Sequence, residues 1–317
     1  MQTAICTLYE GDYHYGVGVL TNSLYNHGFR GNVWVGYRGD LPFWAQSARK
    51  CEGLKSLQYH QQTVADGCTI KWVQLDTPKH LTNHKPDFMW DVMEHYDPEI
   101  EAVYYFDPDI VNKCDWDFYE YWVTCGVAVC CDSWTIVPAN QPRRIAWKQF
   151  AENNGFSNIR DLDHHYNGGF IGVHREHKLV LLMWRKLLEI ASETGYLDLQ
   201  RPYSLKHTNT YPYFPNDQCA MNLALMISSC PLSTVGPEGM DFIPGGITMS
   251  HATVPSIKPW RKKLIIEALK ADPPTITDKV YWQHSQSPIQ LYSGTTYKWN
   301  QFALRVGSAI GRFIRRA

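Results

Sequence analysis

Val103-Tyr104-Tyr105-Phe106-Asp107-Pro108-Asp109-Ile110-Val111 is an apolar run broken by two carboxylates one residue apart. Four large β-prone side chains in succession suit a strand buried on both faces, the kind found in the middle of a parallel sheet. Open α/β sheets bind ligands beyond the carboxyl ends of such strands. An Asp-x-Asp at that edge can hold a hard divalent cation through oxygen ligands, and the cation can clamp a diphosphate. Asp-Pro-Asp also suits a plain turn, so the surrounding sequence has to decide.

Upstream of that run, strand and helix signals alternate. Thr3–Leu8 reads as a first strand; Val17, Leu20, Thr21 and Leu24 then recur at helical spacing up to Gly28. Asn32–Tyr37 and Ile70–Leu75 give two more strands, the segment Pro86–Tyr96 aligns Phe88, Met89, Val92 and Met93 on one helical face, and Ala102–Phe106 is the fourth strand. This alternation predicts an α/β fold with a mostly parallel central sheet covered by helices on both faces. Downstream it loosens. Gly126–Cys131 and Gly169–Val173 read as strands, Leu179–Ile190 and Gln218–Ile227 as helices. No repeat or flexible linker appears before Leu269, and Asp272-Pro273-Pro274 marks a break.

The 317 residues are 44% hydrophobic and 19% charged, enough to bury a large core. A formal charge of −1 gives no general attraction to nucleic-acid phosphates, so a nucleic-acid partner is not expected. The most apolar windows, Cys125–Cys131 and Leu179–Trp184, fall far short of the ~20 residues a membrane-spanning helix requires. Met1–Thr7 lacks the basic start and apolar stretch of a secretory signal, which predicts a cytoplasmic protein. The 9 cysteines contain no Cys-x-x-Cys pair and several lie in apolar runs, as reduced core residues do.

Further segments lie in order around the acidic pair: Thr7-Leu8-Tyr9-Glu10-Gly11-Asp12-Tyr13 after the first strand, a helix from Tyr15 to His27 carrying Ser23-Leu24, and Lys85 ahead of the next helix. His165-Tyr166-Asn167-Gly168-Gly169-Phe170-Ile171-Gly172-Val173, Phe214-Pro215-Asn216-Asp217-Gln218-Cys219-Ala220-Met221-Asn222 and His251-Ala252-Thr253-Val254-Pro255-Ser256-Ile257-Lys258-Pro259-Trp260 follow. With these, residues 1–262 resemble nucleotide-sugar glycosyltransferases of the GT-A type, most closely the family 8 group of glycogenin and the bacterial lipopolysaccharide galactosyl- and glucosyltransferases.

The resemblance implies a GT-A catalytic domain over 1–270, with a nucleotide-binding half (1–112) and an acceptor half (113–270), followed by a C-terminal appendage (271–317). It implies nucleobase and ribose contacts at Thr7, Leu8, Tyr9, Asp12 and Tyr13. Lys85 is expected to meet the diphosphate or the acidic motif, and Asp107, Asp109 and His251 to hold Mn²⁺ or Mg²⁺. Gly168 and Gly169 would admit close approach of the donor, Lys258 would meet its β-phosphate, and Asn167, Asp217 and Gln218 would support the sugar in the catalytic step. The expected reaction moves a hexose from a UDP-sugar to a hydroxyl of a glycan or lipid-linked acceptor with retention of configuration.

Other readings of the same residues exist. Asp217 suits a helix cap, Asn167-Gly168-Gly169 a turn, and a single histidine such as His251 a structural role. The scaffold also allows an inverting transferase with Asp217 or Asp163 as base, or an inactive nucleotide-sugar-binding module. A nucleotidylyltransferase would need a Gly-rich loop after the first strand, which is absent. Gly16-Val17-Gly18 lacks the third glycine of a dinucleotide fingerprint and is better explained by helix packing; His164-His165 read as loop residues beside an acceptor, and Cys130-Cys131 as core strand.

Trp134, Tyr203, Tyr211 and Tyr213 are candidates for stacking on a glycan. Near the C-terminus, Trp299, Phe302, Ala303, Val306, Ile310, Phe313 and Ile314 share one helical face. Lys298–Ala317 carries five Lys or Arg and no acid, against 25 basic and 31 acidic residues elsewhere. Such a basic amphipathic helix predicts peripheral contact with an anionic membrane, or packing on the catalytic domain or a second subunit.

Overall fold

The computed structural model describes residues 1–202, 216–253 and 256–314, apart from the side chains of Lys55, Trp134 and Thr135. Its strands are β1 (Thr3–Glu10), β2 (Gly31–Arg38), β3 (Arg49–Glu52), β4 (Gln58–Ala65), β5 (Cys68–Gln74), β6 (Ala102–Phe106), β7 (Ile110–Asn112), β8 (Val127–Ile136), β9 (His164–His174), β10 (Leu232–Val235) and β11 (Met249–His251). Its helices are α1 (His14–Asn26), α2 (Lys85–Asp91), α3 (Trp116–Thr124), α4 (Pro142–Asn153), α5 (Leu179–Glu193), α6 (Asp217–Ile227), α7 (Leu264–Leu269), α8 (Ile276–Gln283) and α9 (Gly294–Ile314).

Among the described residues one large sheet runs β10-β8-β9-β6-β1-β2-β5-β4-β3. Its centre, β6-β1-β2-β5, is parallel, as the strand–helix alternation predicts. β9 enters antiparallel between β6 and β8, and β4 and β3 extend the other edge as an antiparallel pair. The β3–β4 hairpin has no counterpart in the sequence reading because Arg49-Lys50-Cys51-Glu52 carries no apolar alternation; a short, charged strand is what an exposed sheet edge tolerates. β7 and β11 pair separately in an antiparallel two-stranded sheet.

Alternation along β1 assigns its two faces to two cores. Ala4, Cys6 and Leu8 pack with Phe88 and Met89 of α2 and with Leu223 and Ala224 of α6. Ile5 and Tyr9 belong with Val17, Leu20 and Leu24 of α1 and with Tyr119 of α3. Each aliphatic side chain fully buried this way contributes roughly 1.5–3 kcal/mol. Gly28 (φ +92°) closes α1, its N–H donating to the Tyr25 carbonyl. The segment after α2 continues through a π-helical turn, Val92–Tyr96, so the apolar face expected over Pro86–Tyr96 is kept while the winding changes. The cysteines are all free.

The C-terminal segment is seated on α1. Asn22 Nδ2 donates to the carbonyls of His284 and Ile289, both at 2.8 Å, and Asn22 Oδ1 accepts from Ile289 N at 2.7 Å. Tyr15 stacks on Tyr292. α9 packs on α7 and α8 through a face shifted from the apolar one expected: Ala303 of that face is buried together with Leu304, Gly307 and Gly311, whereas Trp299, Phe302 and Phe313 are 60, 53 and 80% exposed. No helix among the described residues is long and apolar enough to cross a membrane. Arg315 and Arg316 of the basic tail, the aromatics Tyr203, Tyr211 and Tyr213 and the Trp134 side chain lie outside the described residues.

Candidate functional site

β6 ends at Phe106, and the chain leaves the sheet through Asp107-Pro108-Asp109. Asp107 N donates to the Gly169 carbonyl at 2.7 Å, tying the exit of β6 to β9. β7 then pairs with β11 so that Ile110 faces His251, which delivers the imidazole to the carboxylates from a distant part of the chain. His251 Nε2 lies 3.2 Å from Asp109 Oδ1 and 3.8 Å from Asp107 Oδ2. One donor atom from each residue lies within 4.8 Å of the others. His251 Nδ1 is buried without a hydrogen-bond partner, so nothing in the described protein ties down the ring's other nitrogen. Two carboxylates and one imidazole make a mixed O/N donor set that fits a divalent cation.

The position of Asp109 differs from the expectation for a strand-end carboxylate, which is open space. It is buried, roofed by His251 and by Lys258, whose ammonium contacts Asp109 Oδ2 and the Ala252 carbonyl. Burial pushes the Asp109 carboxyl up, but His251 and Lys258 outweigh it and hold the group well below the usual carboxylate range. Lys258 is consequently committed to Asp109, its own ammonium favoured over burial by that carboxylate.

Behind the pair, the first residue of α2 supplies a buried lysine. Lys85 Nζ is 3.0 Å from Asp107 Oδ1 and 3.2 Å from Asp217 Oδ2, and donates to the Gly168 carbonyl at 2.9 Å. Burial opposes its charge, yet the two carboxylates overcome that and raise its pKa. Asp217 is displaced upward because burial outweighs Lys85. Asp217 opens α6 without capping it: the cap is Asn216, whose side chain accepts from Cys219 N. The carboxylate is thereby free to face the lysine.

Asn167, Gly168 and Gln218 come together beside this pair. Asn167 Oδ1 accepts from Gly169 N at 2.9 Å, and Gln218 Oε1 from Gly168 N at 2.9 Å. Gln218 Nε2 donates to Asp132 Oδ2 at 2.5 Å and lies 3.0 Å from His165 Nε2. With the amide oriented by Gly168 and Asp132, His165 Nε2 must accept, so the imidazole is neutral with its proton on Nδ1. Burial, reinforced by Arg144, pushes the His165 pKa down to about 4. His164 and His165 are the first residues of β9, not loop residues. Gly169 is required here: a Cβ on it would stand 2.5 Å from His251 Cε1 and 3.0 Å from Asp107 Oδ2.

These residues border one cleft of about 680 Å³ at the ends of the central strands, and Leu8, Tyr9 and Tyr13 line it too. Thr7 and Asp12 do not. Thr7 is fully buried in the sheet, and Asp12 is paired with Arg261 and accepts from Trp260 Nε1 at 3.1 Å. Phe214, Pro215, Val254 and Pro255 of the matched segments lie outside the described residues. The sequence reading omitted Asp132, which holds both Asn167 and Gln218, and Tyr105, whose hydroxyl donates to Asp107 Oδ1 at 3.0 Å. Asp132 carries only part of the signal that identified Asp107: an apolar strand, Val127–Cys131, runs into a carboxylate, but Trp134 stands where a second acid would be.

A mainly parallel sheet with helices on both faces and further helices at the C-terminus is a fold shared with solved glycosyltransferases. Two solved structures align with 96% of the chain: the bifunctional glycosyltransferase WbbM in its apo form (12% identity, TM-score 0.54) and the glycosyltransferase GlyE of Streptococcus pneumoniae TIGR4 (14% identity, TM-score 0.53). The chain spans 51% and 64% of those two proteins, respectively. No protein-family description matches the sequence, and no curated protein does.

Proposed function

We propose that this protein is a metal-dependent glycosyltransferase that moves a hexose from a UDP-sugar to a hydroxyl of a glycan or lipid-linked saccharide, with retention. The observation that carries the reading is the convergence of Asp107, Asp109 and His251 in the cleft, with the Lys85–Asp217 pair directly behind. Asp107, Asp109 and His251 would hold Mn²⁺ or Mg²⁺, which when bound supplies positive charge against a departing diphosphate. The division into a catalytic domain over 1–270 and an appendage over 271–317 belongs to the same reading, as do a cytoplasmic location and an α9 resting on an anionic membrane.

Within it, Lys258 exchanges Asp109 for the β-phosphate, and its ammonium stabilises charge that grows as the sugar–phosphate bond breaks. Leu8, Tyr9 and Tyr13 form the wall against which the nucleoside lies. Asp132, held by Asn167 and Gln218, keeps a carboxylate beside the sugar, and Asp217 adds a second. In the retaining route the anomeric carbon loses the phosphate oxygen and gains the acceptor oxygen on the same face, while the acceptor proton passes to the leaving phosphate. No carboxylate base is then needed, consistent with an Asp217 engaged by Lys85.

The test is a screen of UDP-sugars and other nucleotide sugars for hydrolysis and transfer, with Mn²⁺, with Mg²⁺ and with chelator. Turnover of a UDP-hexose that stops in chelator supports the reading; absence of turnover for every donor, or full turnover in chelator, ends it. An inverted product, seen by NMR on freshly formed glycoside, would replace retention by the base-assisted route.

A further inference from the structure

A second cavity, of about 520 Å³, lies between α8 and α9 and shares no lining residue with the cleft. Lys279, Arg305 and Arg312 line it together with Gln283, Tyr297 and Gln301, and no acidic residue does. All three cations are exposed, and no carboxylate pairs with any of them among the described residues. Elsewhere in the fold several lysines are paired with carboxylates, as Lys113 is with Asp241 and Lys262 with Asp272 and Asp278. Three uncompensated cations around one groove are chemically suited to a phosphate group.

Helical geometry says where that phosphate comes from. Lys298, Arg305 and Arg312 are seven residues apart and so form one row along α9. Trp299, Phe302 and Phe313 form a neighbouring row, exposed, while the helix is seated through the adjoining Ala303, Gly307 and Gly311. The packed protein therefore leaves outward both a cationic row and an apolar row side by side. A soluble anion would need only the first. A bilayer surface uses both, with aromatic side chains at headgroup level and arginines on the phosphates.

We propose that the α8–α9 groove is a headgroup site for anionic phospholipid, anchored by Lys279, Arg305 and Arg312, with Trp299, Phe302 and Phe313 entering the interface beside it. The proposal extends the reading of α9 as a membrane contact but does not depend on the transfer chemistry. It is tested with the full chain by co-sedimentation with phosphatidylglycerol vesicles and with phosphatidylcholine vesicles, and by titration with inorganic phosphate. Binding to the first at low salt, little binding to the second, and a loss of roughly a hundredfold in the Lys279→Gln/Arg305→Gln/Arg312→Gln variant are expected, from about fivefold per basic residue. Trp299→Ser/Phe302→Ser/Phe313→Ser should weaken vesicle binding as well and leave any phosphate binding unchanged. Turnover of a soluble donor should be the same in both variants, which separates this site from the catalytic reading. Full-length protein that ignores anionic vesicles, a charge-deleted variant that binds them normally, or phosphate binding without vesicle binding would each overturn the proposal.

Discussion

At the scale of single residues, the site turns on how few carboxylates are left uncommitted. Asp109 is held by His251 and Lys258, and Asp107 by Lys85 and Tyr105. Asp217 is buried, with Lys85 as its one ionic partner among the described residues. Asp217→Asn keeps the shape and leaves Lys85 to Asp107, so the fold should survive; what is lost is negative charge where positive charge develops on the sugar. Turnover is expected to fall by about a hundredfold or more while the donor KM changes by less than about threefold, since the contact strengthens in the transition state. Steady-state kinetics that show unchanged turnover would reduce Asp217 to a structural partner of Lys85. Asp107 and Asp109 were legible from the sequence because Asp-x-Asp after an apolar strand is a local pattern, whereas Asp217 was singled out only through the family resemblance. The pairing of Lys258 with Asp109 was not, because it depends on a loop folding back from a remote part of the chain.

At the scale of elements, α1 and the acidic turn fit together through a missing side chain. A Cβ on Gly16 would stand 1.9 Å from the Pro108 carbonyl oxygen, in the peptide between the two carboxylates. That contact explains Gly16 without a dinucleotide fingerprint: the helix packs against the turn that carries the candidate ligands. Gly16→Ala should therefore destabilise the protein by about 2 kcal/mol or more, as overpacking at a rigid contact does, and should also disturb metal-dependent turnover by shifting Asp107 and Asp109. Gly294→Ala is the control, because a Cβ there meets nothing within 4 Å; its effect should stay within about 0.5 kcal/mol. Urea unfolding of the two variants makes the comparison, and equal midpoints would refute the contact argument. Helix α1 was readable from its apolar periodicity, whereas β3, β4, α3 and β10 were not: β3 is polar edge structure, and β10 is four residues long.

At the scale of the whole molecule, the C-terminal segment bears on stability as well as on surface chemistry. His284 is buried where that segment meets α1, lying 3.2 Å from Asn26 Nδ2, and burial together with the nearby His27 pushes its pKa down to about 4. The unfolded chain takes up a proton near the ordinary value of 6.5, while the folded protein refuses it until about 4. Its contribution is thus complete above pH 6.5 and lost progressively as the pH falls to 4, up to roughly 3 kcal/mol. His165, displaced in the same direction, adds to the trend. Chemical unfolding between pH 7 and pH 4 should show stability falling with acid, with a shallower slope in His284→Gln; an identical slope in that variant would rule out His284 as a source. What the sequence determined by itself was whatever is written in local periodicity: the parallel centre of the sheet, the helices over it, and a carboxylate pair at a strand end. What only the tertiary structure decided was how polar groups meet: the β7–β11 pairing that carries the expected His251 to Asp109, Lys85 shared with Asp217 as well as Asp107, Lys258 set on Asp109, His165 bound to Gln218, and α9 seated on its small residues with its aromatics outward. Strand and helix follow from neighbours a few positions apart, but ion pairs and faces follow from contacts between segments far apart in the chain, and those exist only once the chain has packed.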